Sequence, residues 1–284
     1  MTRSRALNVA LTTEPAAGRD RLGPLIVTIF GLYARGEDNW LSVASVVQLM
    51  ADLGVEGQAV RSSISRLKRR GVVRSDRRDG AAGYALSEQT LETLAEGDAR
   101  IFERRRATIE DGWLVVVFSV PESEREKRHE LRTGLTQLGF GTAAPGVWVA
   151  PGNLATETRR TLERRGLAEY VDIFAGQHFA FGDLRSKVRS WWDLDELADL
   201  YADFVRRHRP VLDALPAGSP EQAFQLYVPM LTQWRRLPYS DPGLPLSLLP
   251  PGWNGVTAET VFEQLNGTLS APAREHALSV IHGR

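Results

Sequence analysis

The stretch GVEGQAVRSSISRLKRRGVVRSDRRDGAAGYAL, residues 54–86, decides the fold. Its first half predicts a helix beginning near Gly57. Val60, Ile64 and Leu67 recur at intervals of four and three, which places them on one helical face. The opposite face carries Arg61, Ser62, Ser65, Arg66, Lys68 and Arg69, and Gly71 closes the helix. The second half reads as two strands, one at Val72-Val73 and one at Tyr84–Leu86. Between them stands Asp79-Gly80, a pair that tolerates the positive φ angles a tight hairpin turn demands.

Toward the N-terminus, Leu22–Ala34 is apolar enough for a buried helix. Leu41–Leu53 carries Val43, Val46, Val47 and Met50 at helical spacing, with Ser42 as its N-cap and Gly54 as its stop. Three helices followed by a hairpin predict a winged helix-turn-helix over residues 21–87. In that arrangement the third helix enters the DNA major groove and its N-terminal half meets base edges. Gln58, Arg61, Ser62 and Ser65 are then placed for the bases. Arg66, Arg69 and Arg70 are placed for phosphates, with Lys68 on the same charged face. Arg77 and Arg78, at the hairpin tip, would reach the neighbouring backbone or the minor groove.

The charge distribution agrees. From Gly54 to Arg78 there are eight basic and two acidic residues, a net +6. The whole chain carries 35 of each sign, so the remainder is −6. A basic helix face alone is commonly just solvated. Here the helix-turn-helix spacing, the hairpin and the charge asymmetry point together to double-stranded DNA as a partner.

The rest of the 284-residue chain bounds the answer further. Its length favours two or three domains, and 43% apolar with 25% charged residues describes a globular protein. The absence of cysteine excludes disulfides, zinc-thiolate sites and cysteine catalysis. The longest apolar run, Leu22–Leu32, falls short of the roughly 20 residues a membrane helix needs, and the residues before it lack the pattern of a secretion signal, so none is expected. A cytoplasmic protein that makes no membrane contact is expected. Residues 1–20 lack apolar periodicity and read as a flexible tail.

Glu88–Arg106 reads as a helix, within a linker spanning 88–110, anchored by Leu91, Leu94 and Phe102 and interrupted at Gly97. A second domain, 111–180, opens with a buried strand over Trp113–Val120. A helix (Glu124–Leu138), a strand pair around the Pro145-Gly146 turn (Phe140–Ala150), a helix (Thr156–Arg165) and a strand (Val171–Ala175) follow. That order predicts a ferredoxin-like α+β fold. Residues 181–284 read as a helical domain. Asp193 caps a helix bearing Leu197, Leu200, Tyr201 and Phe204, and a second helix covers Gln222–Arg236. A proline-rich loop, in which Pro238, Pro242 and Pro245 preclude regular helix, separates it from two last helices, Thr257–Leu269 and Ala271–Ile281.

The chain resembles the PaaX family of bacterial transcriptional repressors over nearly its whole length. Four segments carry the resemblance: the helix-turn-helix stretch, the block WLVVVFSVPESEREKRHELRTGLTQLGFGTAAPGVWVAP (113–151), WWDLDEL (191–197) and QWRRLPYSDPGLP (233–245). The second and fourth are the specific ones. The resemblance implies a homodimeric repressor of aromatic catabolism, with a winged-helix reader, a central domain similar to the small ferredoxin-like CRISPR-associated nucleases, and a C-terminal helical domain. It also implies release by an aryl-CoA thioester such as phenylacetyl-CoA.

Two positions depart from the family pattern. The nuclease relatives place an aspartate at the end of their first strand to hold a metal; here the strand ends Phe118-Ser119-Val120. A serine hydroxyl is no substitute for a hard anionic ligand, so the alternative reading, a metal-dependent nuclease, is disfavoured. Many relatives carry a histidine and a tyrosine just before the paired arginines of the tail motif, where this chain has Thr232 and Trp234. An acyl-CoA effector needs cations for its phosphates and an apolar wall for its acyl group. Arg235 and Arg236 beside Trp234 and Tyr239 offer both. The alternative is that these arginines tie the helix to the proline loop through Asp241. The five histidines show no metal-ligand spacing, and no GxSxG or phosphate-binding glycine motif occurs. No catalytic residue, metal or cofactor is expected.

Overall fold

The computed structural model describes residues 22–103, 105–179, 181–214 and 218–283. The tail read over residues 1–20 lies outside them. The described chain forms two compact units. One holds the residues up to Phe102, Phe204–Arg236 and those from Ala258 on; the other holds Glu103–Asp203 and Leu237–Thr257.

The first unit is built on the winged helix. α1 (Leu22–Ile29) runs on into a π-helical turn at Phe30–Ala34. A short strand that the sequence does not announce, β1 (Trp40–Ser42), precedes α2 (Val43–Asp52). Ser42 caps α2 as predicted, its hydroxyl accepting from the Ser45 N–H at 2.9 Å. α3 (Gly57–Arg69), β2 (Val73–Arg78) and β3 (Ala81–Leu86) follow, and the sheet order is β1-β3-β2. Asp79 and Gly80 both take positive φ, 49° and 79°, so the hairpin closes through the turn the Asp-Gly pair predicts. Ile26, Phe30, Leu41, Leu49, Met50, Val60, Leu67 and Leu86 form the interior.

The strand β1 depends on one residue that has no side chain. A Cβ on Gly83 would stand 2.3 Å from the Trp40 ring and 2.5 Å from the Leu41 carbonyl oxygen. Trp40 can lie across β3 only because nothing projects there. Gly83→Ala is expected to destabilise the wing by about 1–3 kcal/mol, the usual cost of overpacking. Thermal unfolding together with hydrogen exchange of the β3 amides would measure it.

α4 (Glu88–Phe102) is unbroken and passes through Gly97, which is buried. Its buried positions are Thr90, Gly97 and Arg100. The expected anchors Leu91 and Leu94 are only half-buried, and Phe102 is partly exposed with its ring tilted on Phe262. The first unit is completed by the second half of α8 (Leu194–Asp213), by α9 (Pro220–Trp234) and by most of α11 (Asn254–His282). α9 begins with a reciprocal capping box between Ser219 and Gln222. The two C-terminal helices expected from the sequence are in fact one. α11 passes through Pro272, because the buried face formed by Leu265, Leu269, Ala273 and Ala277 outweighs the backbone hydrogen bond that proline forfeits.

The second unit contains β4 (Trp113–Phe118), α5 (Arg125–Gln137), β5 (Gly141–Ala144), β6 (Val147–Pro151), α6 (Ala155–Arg164) and β7 (Val171–Gly176). The antiparallel sheet order β5-β6-β4-β7 is that of a ferredoxin-like fold. Leu114 and Val116 alternate inward beneath Leu135, Phe140 and Trp148, while Val117 points out. α7 (Leu184–Trp191), not anticipated from sequence, packs by Trp191 and by Trp192 directly after it. Trp191 meets Trp113 edge-on at 5.5 Å, and Trp192 donates from Nε1 to the Gly139 carbonyl at 2.9 Å.

The proline-rich stretch is ordered and includes short helical turns. These are α10 (Leu237–Ser240), which contains Pro238, and a 3-10 turn at Leu246–Leu248. Proline is tolerated in a first turn because its missing N–H has no intrahelical partner there. Asp241 is the node of this loop. It accepts from Tyr201 Oη at 2.7 Å, from Arg106 at 3.1 Å and from the Gly243 N–H at 2.6 Å.

Candidate nucleic-acid interface

The surface of α3 is made by two glycine turns and a division of faces. Before the helix, Gly54 takes φ 75° and the Val55 N–H reaches back to the Met50 carbonyl at 3.0 Å, turning the chain out of α2. After it, Gly71 takes φ 73° and the Val72 N–H bonds the Leu67 carbonyl at 3.0 Å. Between them Val60, Ser63, Ile64 and Leu67 are buried. Gln58, Arg61, Ser62, Ser65, Lys68 and Arg69 are exposed. Positions 58, 61, 62, 65 and 69 form one stripe, about 16 Å long at the α-helical rise. The basic last turn of Arg66, Lys68 and Arg69 also complements the negative end of the helix dipole. Arg66 and Arg70 lie at the border, half-buried.

The wing uses its arginines in two ways. Arg77 is exposed at the turn and donates to the Gly80 carbonyl at 2.9 Å. Arg78 is held at home. It donates to the Asp38 carbonyl at 3.0 Å, lies 3.4 Å from the Asp76 carboxylate, and stacks its guanidinium over the Trp40 ring at 5.6 Å. Arg74, absent from the residues expected on sequence grounds, is exposed on β2 near Asp76 at 3.6 Å. Strand alternation (Arg74, Asp76 and Arg78 on one face) was the signal that could have found it.

The residues considered for an effector fall in different places. Trp234 is buried in the first unit, stacked on Phe262 at 4.3 Å and 9° and near Phe204 at 5.2 Å, with Nε1 donating to the Ile101 carbonyl. Arg235 is buried and donates to the Pro24 carbonyl at 3.3 Å. Arg236 is half-buried just past the end of α9. Tyr239 belongs to the second unit, in α10. Thr232 donates to the Val228 carbonyl, and its hydroxyl lies 2.8 Å from that of Thr28. On the same helix, burial pushes the Tyr227 phenol up to about 12, and its hydroxyl donates to Asn266 at 2.7 Å.

In the second unit Ser119 follows the end of β4, its N–H bound to the Tyr170 carbonyl at 3.1 Å. Among the described residues no three histidine, aspartate or glutamate side chains are grouped to hold a metal ion. Also among them, no helix is long and apolar enough to cross a membrane.

Comparison with known proteins places this architecture. Residues 21–90 match the family model of PaaX-like protein, residues 106–188 that of the PaaX protein central Cas2-like domain, and residues 192–279 that of the PaaX-like protein C-terminal domain. The Escherichia coli (strain K12) protein named transcriptional repressor PaaX is 27% identical over 258 residues, covering 88% of this chain and 79% of its own length. A solved structure of an uncharacterized protein from Mycobacterium tuberculosis shares the fold with TM-score 0.58 and 22% identity. It covers 88% of this chain and 97% of the other. Three consecutive models follow one another along the chain just as winged helix, ferredoxin-like sheet and helical segment do, and this chain therefore belongs to the PaaX family.

Proposed function

We propose that this protein is a DNA-binding transcriptional repressor that reads its operator with α3 and steadies the complex with the β2–β3 wing. One observation carries the reading: the exposed stripe Gln58, Arg61, Ser62, Ser65 and Arg69, standing between buried Val60, Ile64 and Leu67 and a basic hairpin. Arg61 and Gln58 supply side chains that pair bidentately with guanine and adenine edges. Arg66, Lys68, Arg69, Arg70 and the wing arginines Arg74 and Arg77 supply phosphate contacts, which fix register without reading sequence. Arg78 serves the wing more than the DNA, because its guanidinium already has partners. The name of the Escherichia coli relative supports repression as the outcome.

The protein acts as a homodimer in this reading. The outer face of the central sheet supports it: Val115, Val117, Val147 and Phe174 share that face, and Phe174 is 59% exposed on the edge strand β7. An exposed apolar patch of this kind is what a two-fold dimer can bury against its own copy, and two reading heads match a palindromic operator. A cytoplasmic role in aromatic catabolism, with release by an aryl-CoA thioester, follows from the family resemblance. Trp234 and Arg235 are buried in the first unit, so Arg236, half-buried, is the member of the set in that unit left for such a ligand to meet. The nuclease alternative has no carboxylate at Ser119 to begin a metal site.

The test is a fluorescence-anisotropy titration on DNA from the region upstream of the protein's own gene, at two salt concentrations, with and without phenylacetyl-CoA. Specific binding that weakens steeply with salt and is abolished by the thioester is expected. Binding indifferent to the thioester would keep the repressor and discard the effector. Absence of specific binding would overturn the reading.

A further inference from the structure

The C-terminal helix α11 meets the winged helix at two points, the end of α2 and the loop before β1. His276 Nε2 lies 2.9 Å from Asp52 Oδ2, across 224 positions of sequence. His282 Nε2 lies 2.9 Å from Glu37 Oε2, across 245 positions. All four residues belong to the first unit.

Each carboxylate occupies a structural junction. Asp52 is the last residue of α2, and the turn at 53–56 that aims α3 starts directly after it. Its other oxygen accepts from Gln48 at 2.8 Å, so Asp52 is held from both its own helix and α11. Glu37 lies in the loop between α1 and β1. The next residue, Asp38, offers its carbonyl to Arg78 of the wing, and Asn39 donates to the Leu86 carbonyl of β3 at 3.1 Å. Asp38 and Asn39 hold positive φ angles of 50° and 60°, a left-handed turn that aspartate and asparagine adopt more readily than other side-chain-bearing residues. Arg274 of α11 also lies nearby: a Cβ placed on Gly36 would stand 3.5 Å from its Nη2.

We propose that α11 is the brace of the DNA-reading head, with His276 and His282 as positioning residues that hold α3 and the wing in one mutual orientation. The inference rests on the DNA-binding reading above. The surroundings of His276 suit a brace. Its side chain is only 16% exposed, that of Asp52 10%, and its ring lies tilted against that of Phe224 with centroids 5.2 Å apart. Base-edge hydrogen bonds tolerate errors of only about 0.5 Å in the elements that present them. Phosphate attraction is far more forgiving. Loss of the brace therefore removes specific affinity and spares non-specific affinity.

The experiment uses the full-length protein and three variants: His276→Ala, His282→Ala, and the exchanged pair His276→Asp with Asp52→His. Each single variant is expected to lose about tenfold in affinity for operator DNA, the equivalent of one hydrogen bond to a charged group. Affinity for an unrelated duplex should stay within about twofold, being set by phosphate contacts. The exchanged pair should recover operator affinity. In parallel, hydrogen exchange of the free protein should speed up at residues 53–57 in His276→Ala and at 37–40 and 73–86 in His282→Ala, with the rest of the unit unchanged. Unchanged operator affinity and unchanged exchange would overturn the brace. So would parallel loss of specific and non-specific binding with exchange rising throughout the unit, since that is plain destabilisation. Wild-type protein that binds no duplex would sink the DNA reading separately, and the local exchange pattern would then decide the brace on its own.

Discussion

Replacing Arg61, Arg66 and Arg69 together by alanine should weaken operator binding by about two to four orders of magnitude. One bidentate base contact is worth roughly 1–3 kcal/mol of discrimination, and the phosphate contacts add to it. The three sites are separable. Arg61 is exposed near the start of α3, where the proposed docking puts base edges, so Arg61→Ala should relax sequence preference while keeping most non-specific affinity. Arg66→Ala and Arg69→Ala should weaken every duplex alike and lower the slope of log affinity against log salt by about 0.9 each. Arg61 and Arg69 point into solvent, so their removal should leave the fold intact, which circular dichroism would verify. Undiminished operator affinity in the triple variant would place the interface elsewhere on the chain.

The second large effect is on stability. Trp234→Ala should cost about 3–5 kcal/mol, the range for deleting a large buried aromatic side chain. The indole is stacked on Phe262, flanked by Phe204, and hydrogen-bonded to the Ile101 carbonyl. Its removal opens a cavity and leaves that carbonyl unpaired. Urea unfolding followed by circular dichroism measures the loss as a lower midpoint at unchanged slope. A change below about 1 kcal/mol, together with a lost response to phenylacetyl-CoA, would make Trp234 a ligand contact instead of a core residue.

Arg61 and Trp234 differ in how far their surroundings can be read from neighbouring positions. Arg61 can be placed from sequence because a helix sorts its faces by a period of 3.6, and Val60, Ile64 and Leu67 reveal that period. Trp234 beside Arg235 and Arg236 looks like a site in sequence, since aromatic and cationic side chains together suit an acyl-CoA. Nothing local tells that the indole faces Phe262, which lies 28 positions away on another helix. Arg78 is a similar case. At a hairpin tip it looks free for DNA, and only the loop at Asp38 and Trp40 shows what it holds.

The sequence alone determined the elements whose causes are local. The amphipathic α3, the Ser42 cap, the Asp79-Gly80 turn and the strand–helix order of the central domain all rest on side-chain period, backbone φ preference or a cap within four residues. The tertiary structure decided what depends on partners far along the chain. Pro272 stays inside α11 because Leu265, Leu269, Ala273 and Ala277 bury enough apolar surface to hold the helix together. Trp40 and Gly83 create β1 by fitting each other. His276 finds Asp52 and His282 finds Glu37 because the fold returns α11 to the N-terminal domain. A contact across more than 200 residues leaves no periodic trace in the sequence. It exists only once the chain has closed the loop and packing has chosen which of many available polar side chains meet.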